Sequence, residues 1–572
     1  MLTTQWQWEE TDANIPLMAQ TLGISPITAR VMANRQIRTK NTAKAFLQPS
    51  VADMGAFVDL KDGAQALARI AQAITAKEAI VIFGDYDADG VTSTAILYKV
   101  LTRLGAHVSY YIPHRITEGY GLNKHAVAAL AQKGTRLLVT VDNGISAIEE
   151  VALATTLGMD TIIIDHHEPG DALPKAAAIV DPKQKDCPYP FKELCAGGLA
   201  YKLAEGLCQY MHTPFTEQAE TLALAAIATI CDIVPLHGEN RILANCGMAI
   251  LNEHKLINPG LGTLIGLRGY LEKPLDPFTV GFVLGPCINA PGRLTNGTTA
   301  VELLTAPSED IPHRVALAQS LMQLNEDRKT LTADATARLL ESLPQTLDNV
   351  LVLVDKDIHE SIGGIVAGRI KEHTGRPTIV FAQGEDAMKG SGRSIPHYNL
   401  FQALNANSHL FTRFGGHAMA AGLTMTEANI PLLRDALNAT ANLTPTHFHK
   451  IIPIDQTLTL SDITLPLAEE LSRLAPFGAG NQEPLFATHN LFAENVRILD
   501  EKSTLIFTLA DNTGRKIKAI AFGLNEAYAT QTQATNVNKL GGFPLDIAYA
   551  IEINVYNNIQ SLQLRLRDFV IG

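Results

Sequence analysis

Four short acidic segments hold the residues best suited to chemistry. Gly84-Asp85-Tyr86-Asp87-Ala88-Asp89-Gly90 follows the apolar run Ala79-Ile80-Val81-Ile82-Phe83. Asp142-Asn143-Gly144 follows Leu137-Leu138-Val139-Thr140-Val141, and Asp165-His166-His167 follows Ile162-Ile163-Ile164. Asp232 closes the Ala- and Leu-rich stretch that ends at Cys231. Carboxylates at alternate positions repel one another unless a cation sits between them. Mixed carboxylate and imidazole ligands suit Mn²⁺ or Mg²⁺ better than a thiolate-type zinc site. Five or six such ligands suffice for two divalent metal ions sharing a bridging carboxylate, the arrangement that activates water and clamps a phosphoryl group.

Each segment also has a plainer reading. An Asp after a strand often caps the next helix through its side-chain oxygen. Asp-x-Asp-x-Asp-Gly is also how a calcium loop of the EF-hand type begins, but that loop needs a Glu at its twelfth position. Counted from Asp85 that position is Ile96, so the reading fails. Histidines met singly are more often structural than ligating. The four segments together favour a metal centre.

The surrounding pattern says how these residues are positioned. Apolar, β-branched runs at 79–83, 108–112, 136–141, 161–164 and 177–180 alternate with helical stretches at 91–104, 124–133 and 146–157. This predicts a parallel sheet covered on both faces. Open sheets of this kind place ligands at the carboxyl ends of their strands, where three of the four acidic segments lie. Residues 197–255 read as helices, and 311–343 as one long connecting helix. A second βα unit starts at 349–354, continues through a helix at 363–374 and reaches a strand at 378–381. After a loop marked by Pro476, Gly478 and Gly480, two hairpins follow, turning at Asp511–Gly514 and Asn557-Asn558, and predict a small all-β, partly open barrel. Residues 1–60 read as a helical preamble with Trp6 and Trp8 as packing anchors.

Composition narrows the class. The 572 residues have room for several domains. Charged residues make up 18% and hydrophobic residues 46%, which excludes a mainly disordered chain. The six cysteines are scattered and form no CxxC pair. No secretory signal or membrane-spanning run is visible, so the expectation is a cytoplasmic protein with no membrane partner. A net charge of −12 argues against a nucleic-acid partner if it is evenly spread. It is not even: the acidic segments concentrate carboxylates, while residues 361–420 hold six Lys and Arg against three acidic residues.

Asp87-Ala88-Asp89, Asp142-Asn143-Gly144, Asp165-His166-His167 and Asp232 resemble, in order and context, the four motifs of the DHH phosphoesterase superfamily. Gly415-Gly416-His417 resembles the signature of the accompanying DHHA1 domain. With Gly84–Ser93, Asn289-Ala290-Pro291-Gly292-Arg293 and Ser391-Gly392-Arg393-Ser394, the likeness narrows to the superfamily's single-stranded-DNA exonucleases, over residues 50–570.

That resemblance implies an α/β multidomain chain. Its parts would be an N-terminal helical segment 1–60, a parallel-sheet DHH domain 61–310, a long connecting helix 311–343, an α/β DHHA1 domain 344–450 and an OB-like barrel 451–572. It implies two-metal hydrolysis of single-stranded DNA from its 5′ end to mononucleotides, in recombination and repair. Asp87 would bind one metal, Asp89, His166 and Asp232 the other, with Asp142 bridging. Phe83 stands where many superfamily members carry a His, and Asp85 is the compensating ligand. His167 would be catalytic at the phosphate, and Asp165 would orient an imidazole. Arg293, Arg369, Ser391, Arg393 and His417 would hold the substrate's 5′ phosphate. The barrel offers Phe507, Phe522, Tyr549, Tyr556, Lys516, Lys518, Arg565 and Arg567, with Phe507 and Phe522 expected in its core. Partner classes would be a single-strand-binding protein and a helicase, and the chain would act as a monomer. The alternatives are a small-substrate DHH phosphodiesterase acting on nanoRNA or a cyclic dinucleotide, and an inactive single-strand-binding scaffold.

Overall fold

The computed structural model describes residues 4–499, 503–535, 542–556 and 559–572. The chain divides into two compact units. The first comprises residues 49–333 with 476–481; the second comprises 1–48, 334–475 and 482–572.

The first unit is built on five parallel strands: β1 (Ala79–Phe83), β2 (His107–Tyr111), β3 (Leu137–Val141), β4 (Asp160–Ile164) and β5 (Ala178–Val180). Their order across the sheet is β2-β1-β3-β4-β5. Every side chain of β3 is buried, as expected for a strand covered on both faces. Helix α1 (Ala88–Arg103) leaves the carboxyl end of β1. Helices α2 (Ala196–Tyr210) and α3 (Gln218–Cys231) pack with it, and their Ala and Gly residues allow the close approach. Helix α4 (Gly285–Leu294) follows a short π-helical segment, Val280–Leu284.

Helix α5 (Ile311–Glu341) runs from one unit's chain into the other's. Leu317, Ala318 and Leu321 join the first core; Ala335 and Leu339 join a core of the second. The second unit holds a mixed sheet of β6 (Leu351–Val354), β7 (Thr378–Gln383), β8 (Met388–Arg393), β9 (Arg413–His417) and β10 (Ala420–Met425), ordered β9-β10-β8-β7-β6. Helix α6 (Gly363–Thr374) packs on β7 and β8. Five further strands form the terminal barrel: β11 (Phe486–Leu499), β12 (Thr504–Ala510), β13 (Lys516–Phe522), β14 (Phe543–Tyr556) and β15 (Ile559–Ile571). β14 pairs back on β11, so the barrel is closed rather than partly open.

Several expectations are corrected. The N-terminal segment is not wholly helical: Thr4–Trp8 is a strand paired in parallel with Lys450–Ile454. Its alternation of polar and aromatic residues fits a strand, but the partner lies far along the chain. Trp6 donates from Nε1 to Asp568 Oδ2 at 2.8 Å, and Trp8, 43% exposed, donates from Nε1 to Thr457 Oγ1 at 3.0 Å. The terminal module is not all β. Helix Asn525–Ala534 seats Tyr528 among Phe507, Phe543 and Phe569, and Leu465–Ser472 is a second helix. Phe507 is core as expected, but Phe522 is 55% exposed. Ala519 and Ala521 face inward on the same strand, so the two-residue period turns Phe522 out. Tyr549 is core, its hydroxyl 2.8 Å from Thr488 Oγ1. Arg565 and Arg567 pair with Glu483, and Lys516 with Glu494. The Tyr556 side chain and the Asn557-Asn558 turn lie outside the described residues.

Gly197 marks a close contact between α2 and α3. A Cβ there would sit 2.3 Å from Ala228 Cβ and 3.2 Å from Asp89 Oδ1. Gly197→Ala is therefore expected to destabilise the metal-free protein by about 1–3 kcal/mol through overpacking. Adding Ala228→Gly should restore much of that loss. Chemical denaturation of both variants checks this; equal stability of the single and double variants would contradict it.

Candidate metal centre

The acidic segments converge at the carboxyl end of the first sheet. Asp87 caps α1, its Oδ1 accepting from the N–H groups of Asp89 and Gly90 at 3.0 and 3.1 Å. Asp89 turns back to the start of α2, where Ala196 N and Gly197 N donate to its two oxygens at 2.9 and 2.7 Å. This is an anion held at a helix N-terminus. The capping reading is therefore right for Asp87, and it is compatible with ligation because a carboxylate has about four acceptor positions.

Asp142 leaves β3 with φ of +63°, a left-handed conformation uncommon outside glycine. Ile233, next to Asp232, has φ of +62° and is 73% exposed. A β-branched residue in that region is strained, and such strain concentrates at functional sites. Asp165 organises the turn after β4: its Oδ1 accepts from His166 N at 2.8 Å, and its Oδ2 from Ile145 N at 2.9 Å. The loop 476–481 backs the Asp232 turn, with Leu236 N donating to Ala479 O at 2.7 Å.

The side chains meet in three overlapping groups: Asp85, Asp87 and Asp142; Asp89, His166 and Asp232; and Asp142, His166 and His167. Within each group, potential ligand atoms lie within 4.8 Å of one another. His166 Nε2 is 3.0 Å from Asp142 Oδ1 and 3.7 Å from Asp89 Oδ2, and its Nδ1 is 3.8 Å from Asp232 Oδ2. His167 Nδ1 is 2.7 Å from Asp165 Oδ1, so Asp165 orients His167 rather than His166. Phe83 is fully buried against Tyr111 and offers no ligand. Asp85 is buried beside the cluster, and its Oδ1 has no hydrogen-bond partner among the described residues.

Crowding controls the charges. Burial and the neighbouring Asp89, Asp87, Asp85 and Asp232 push Asp142 well above the usual carboxylate range. Burial and Asp87 do the same to Asp85. Burial with Asp87 raises Asp89 to about 7, and burial with Asp89 and Asp87 raises Asp232 to about 8. Burial and His167 lower His166 to about 3, leaving it a neutral imidazole fit to ligate. Burial opposes charge on His167 too, but the hydrogen bond and charge of Asp165 win and raise it to about 9. Crowded carboxylates pushed towards holding protons by burial and by one another, an orphaned Asp85 oxygen and a neutral imidazole are the donor set of a divalent metal site.

Four neighbours have roles that the sequence reading did not assign. Arg115 lies over the Tyr86 ring, 4.9 Å from its centroid. The Tyr120 hydroxyl donates to Asp142 O at 3.0 Å and lies 3.2 Å from His167 Nε2. Asp181, directly after β5, is buried with one oxygen lacking a partner among the described residues, and burial raises it to about 7. Asn289 reaches the acidic loop from α4. Asp181 carried a usable signal as an Asp ending a strand, and Asn289 lies in the segment Asn289–Arg293 that carries part of the family resemblance.

The proposed substrate residues fall in both units. Arg293 lies on α4, near enough for its charge to act on Tyr86. In the second unit, Ala420 pairs with both His417 and Arg393, which puts those two in one row across the sheet. Ser391 lies two residues before Arg393 on the same face, beside Gly363 at the start of α6. The Arg393 guanidinium reaches Gly364 on that helix. Arg369 lies further along α6. Gly415-Gly416-His417 lies on the edge strand β9.

Three family descriptions match along the chain: DHH family, N-terminal domain, at residues 79–229; DHHA1 domain at 347–443; and RecJ OB domain at 454–568. The single-stranded-DNA-specific exonuclease RecJ of Escherichia coli is 33% identical over 98% of both chains. Its Bacillus subtilis counterpart is 36% identical over the whole of this chain and 72% of its own. The chain belongs to the RecJ family. Among solved structures, RecJ from Thermus thermophilus in complex with Mn²⁺ superimposes with a TM-score of 0.82 at 28% identity, covering 99% of this chain and 79% of that one. The same RecJ has been solved with Mg²⁺. The DHH match falls in the first unit, and the DHHA1 and RecJ OB matches fall in the second apart from residues 476–481.

The raised carboxyls fix a sign. A group whose pKa is higher folded than unfolded binds a proton on folding, so stability falls as pH rises through that range. Asp89, Asp232 and His167 all act this way, whereas His166 contributes nothing further above its unfolded value near 6.5. Metal-free protein is therefore expected to lose melting temperature between about pH 6.5 and 8.5. Asp232→Asn should flatten the fall. A melting temperature that holds steady or rises across this window would contradict the assignment.

Proposed function

We propose that this chain is a metal-dependent exonuclease that degrades single-stranded DNA from its 5′ end to mononucleotides, in DNA recombination and repair. The observation that carries the proposal is the convergence of Asp85, Asp87, Asp89, Asp142, His166 and Asp232 at one strand-end site. It occurs in a chain similar to RecJ exonucleases over its whole length. The barrel at 486–571 favours this reading over a small-substrate phosphodiesterase, which needs no strand-tracking module. Apart from Phe83, every expected metal-site position carries a usable ligand, which disfavours an inactive scaffold.

Asp87 with Asp85 would hold one divalent ion, Asp89, His166 and Asp232 the second, and Asp142 would bridge them. Mn²⁺ or Mg²⁺ bound there supplies Lewis-acid polarisation of phosphate and water. The remaining tasks belong to side chains. His167, protonated at neutral pH and oriented by Asp165, presents positive charge to an anionic phosphodiester. In the second unit, Ser391, Arg393 and His417, with Arg369, would bind the 5′ phosphate, using Arg forks and the α6 N-terminus. Exposed Phe522 gives the barrel a face for base stacking, a role Tyr549 cannot fill from the core.

All six cysteines are free thiols, which supports a reducing compartment such as the cytoplasm. Among the described residues no helix is long and apolar enough to cross a membrane. A helicase and a single-strand-binding protein are the partner classes that make and coat such a substrate. Every proposed metal ligand comes from one chain, which supports action as a monomer.

Digestion of 5′-labelled single-stranded DNA, duplex DNA and RNA in Mn²⁺ and in Mg²⁺ tests the proposal. Label should leave the single strand first, as mononucleotide, and chelation should abolish release. Asp142→Ala should cut the rate by at least about 100-fold while the protein stays folded. Release from the 3′ end, or preference for a dinucleotide, would overturn the reading.

A further inference from the structure

Helix α4 grips the acidic loop on both sides of Asp87. On one side, Asn289 Oδ1 accepts from the Ala88 N–H at 2.7 Å. On the other, Gly292 lies so near Tyr86 that a Cβ there would sit 2.2 Å from the Tyr86 carbonyl oxygen. Gly297, just beyond the helix, also faces Tyr86: its Cβ would be 3.1 Å from Tyr86 Cα. Asp87 is therefore held between two contacts with one neighbouring segment.

A count of donors shows why this matters. The first N–H groups of a helix have no partner within it. At the start of α1, Asp87 Oδ1 takes those of Asp89 and Gly90, and the Asp87 carbonyl takes that of Val91 at 2.8 Å. The Ala88 N–H remains, and Ala88 is buried, so water is a poor substitute. Asn289 supplies its acceptor. Without it, the bare donor stands beside the Asp87 carboxylate. An unsatisfied buried N–H is costly enough to draw that carboxylate or its loop out of place.

We infer that Asn289 is a positioning residue for the metal centre: by taking the Ala88 N–H, it leaves Asp87 facing Asp85 and Asp142 and so sets the affinity for the divalent cation. The inference rests on the metal-centre reading above and deepens it. Partners that orient ligands in this way typically change metal affinity by about 10–100-fold when removed.

The test is calorimetric titration of MnCl₂ into metal-free full-length protein, without DNA. Asn289→Ala is expected to bind Mn²⁺ about 10–100-fold more weakly than the unsubstituted chain. Asn289→Asp, which keeps an acceptor in the same place, is expected to stay within roughly threefold, a range small beside that loss. At saturating Mn²⁺ the KM for single-stranded DNA should stay the same in Asn289→Ala, which separates positioning of Asp87 from a role in gripping DNA. Unchanged Mn²⁺ affinity in Asn289→Ala, or an Asn289→Asp variant as weak as Asn289→Ala, would overturn the inference. Should Asn289→Ala fail to fold, the Asn289→Asp isotherm still decides: unsubstituted affinity sustains the inference, and weakening by about tenfold or more overturns it. Absence of Mn²⁺ binding by the unsubstituted chain would instead sink the metal-centre reading.

Discussion

Six side chains that repel or compete with one another must share one small, largely buried site: Asp85, Asp89, Asp142 and the His166 imidazole, all buried, with half-buried Asp87 and Asp232. Much of the first unit can be understood as the means of holding them there. Hydrophobic burial supplies the scaffold but cannot fix the direction of a carboxylate. That direction comes from backbone N–H groups aimed inward: Asp89 and Gly90 on Asp87, Ala196 and Gly197 on Asp89, and Ile145 and His166 on Asp165. Each is a donor that a helix start or loop leaves without an internal partner. The fold thus satisfies its exposed helix ends with the side chains that function requires.

The same constraint separates the two histidines. They are consecutive in sequence and their ring centroids are 4.5 Å apart, yet their charges diverge. Burial and its charged neighbour keep His166 neutral, while Asp165 holds a proton on His167. One imidazole suits a metal and the other an anionic phosphate. The chain's net charge of −12 also reads differently with the structure in hand. Much of it is condensed into a site that divalent cations would neutralise. The row of Arg393 and His417, with Ser391 beside it, occupies a separate unit.

What the sequence disclosed follows from how local the signals are. Asp87, Asp89, Asp142 and Asp165 each follow a continuous apolar run, so strand and strand-end ligand are read together. Asp232 was legible for the same reason at a helix end. Asp181 obeys the same rule after β5, but that strand has only three residues and the Asp stands alone. Asn289, Arg115 and Tyr120 carry no such mark, because their roles depend on partners distant in sequence or in other loops. The N-terminal strand was missed because its partner at Lys450–Ile454 supplies the pairing that five residues cannot announce. Phe522 was placed inward on hydrophobicity, whereas strand alternation places it outward.

The central claim is that these carboxylates and His166 form a centre for two divalent ions. Anomalous scattering at the manganese edge, from crystals grown with Mn²⁺, tests it most directly. The account predicts two peaks, one bounded by Asp85, Asp87 and Asp142 and the other by Asp89, His166 and Asp232. No peak at this site, or manganese bound only elsewhere on the chain, would contradict it.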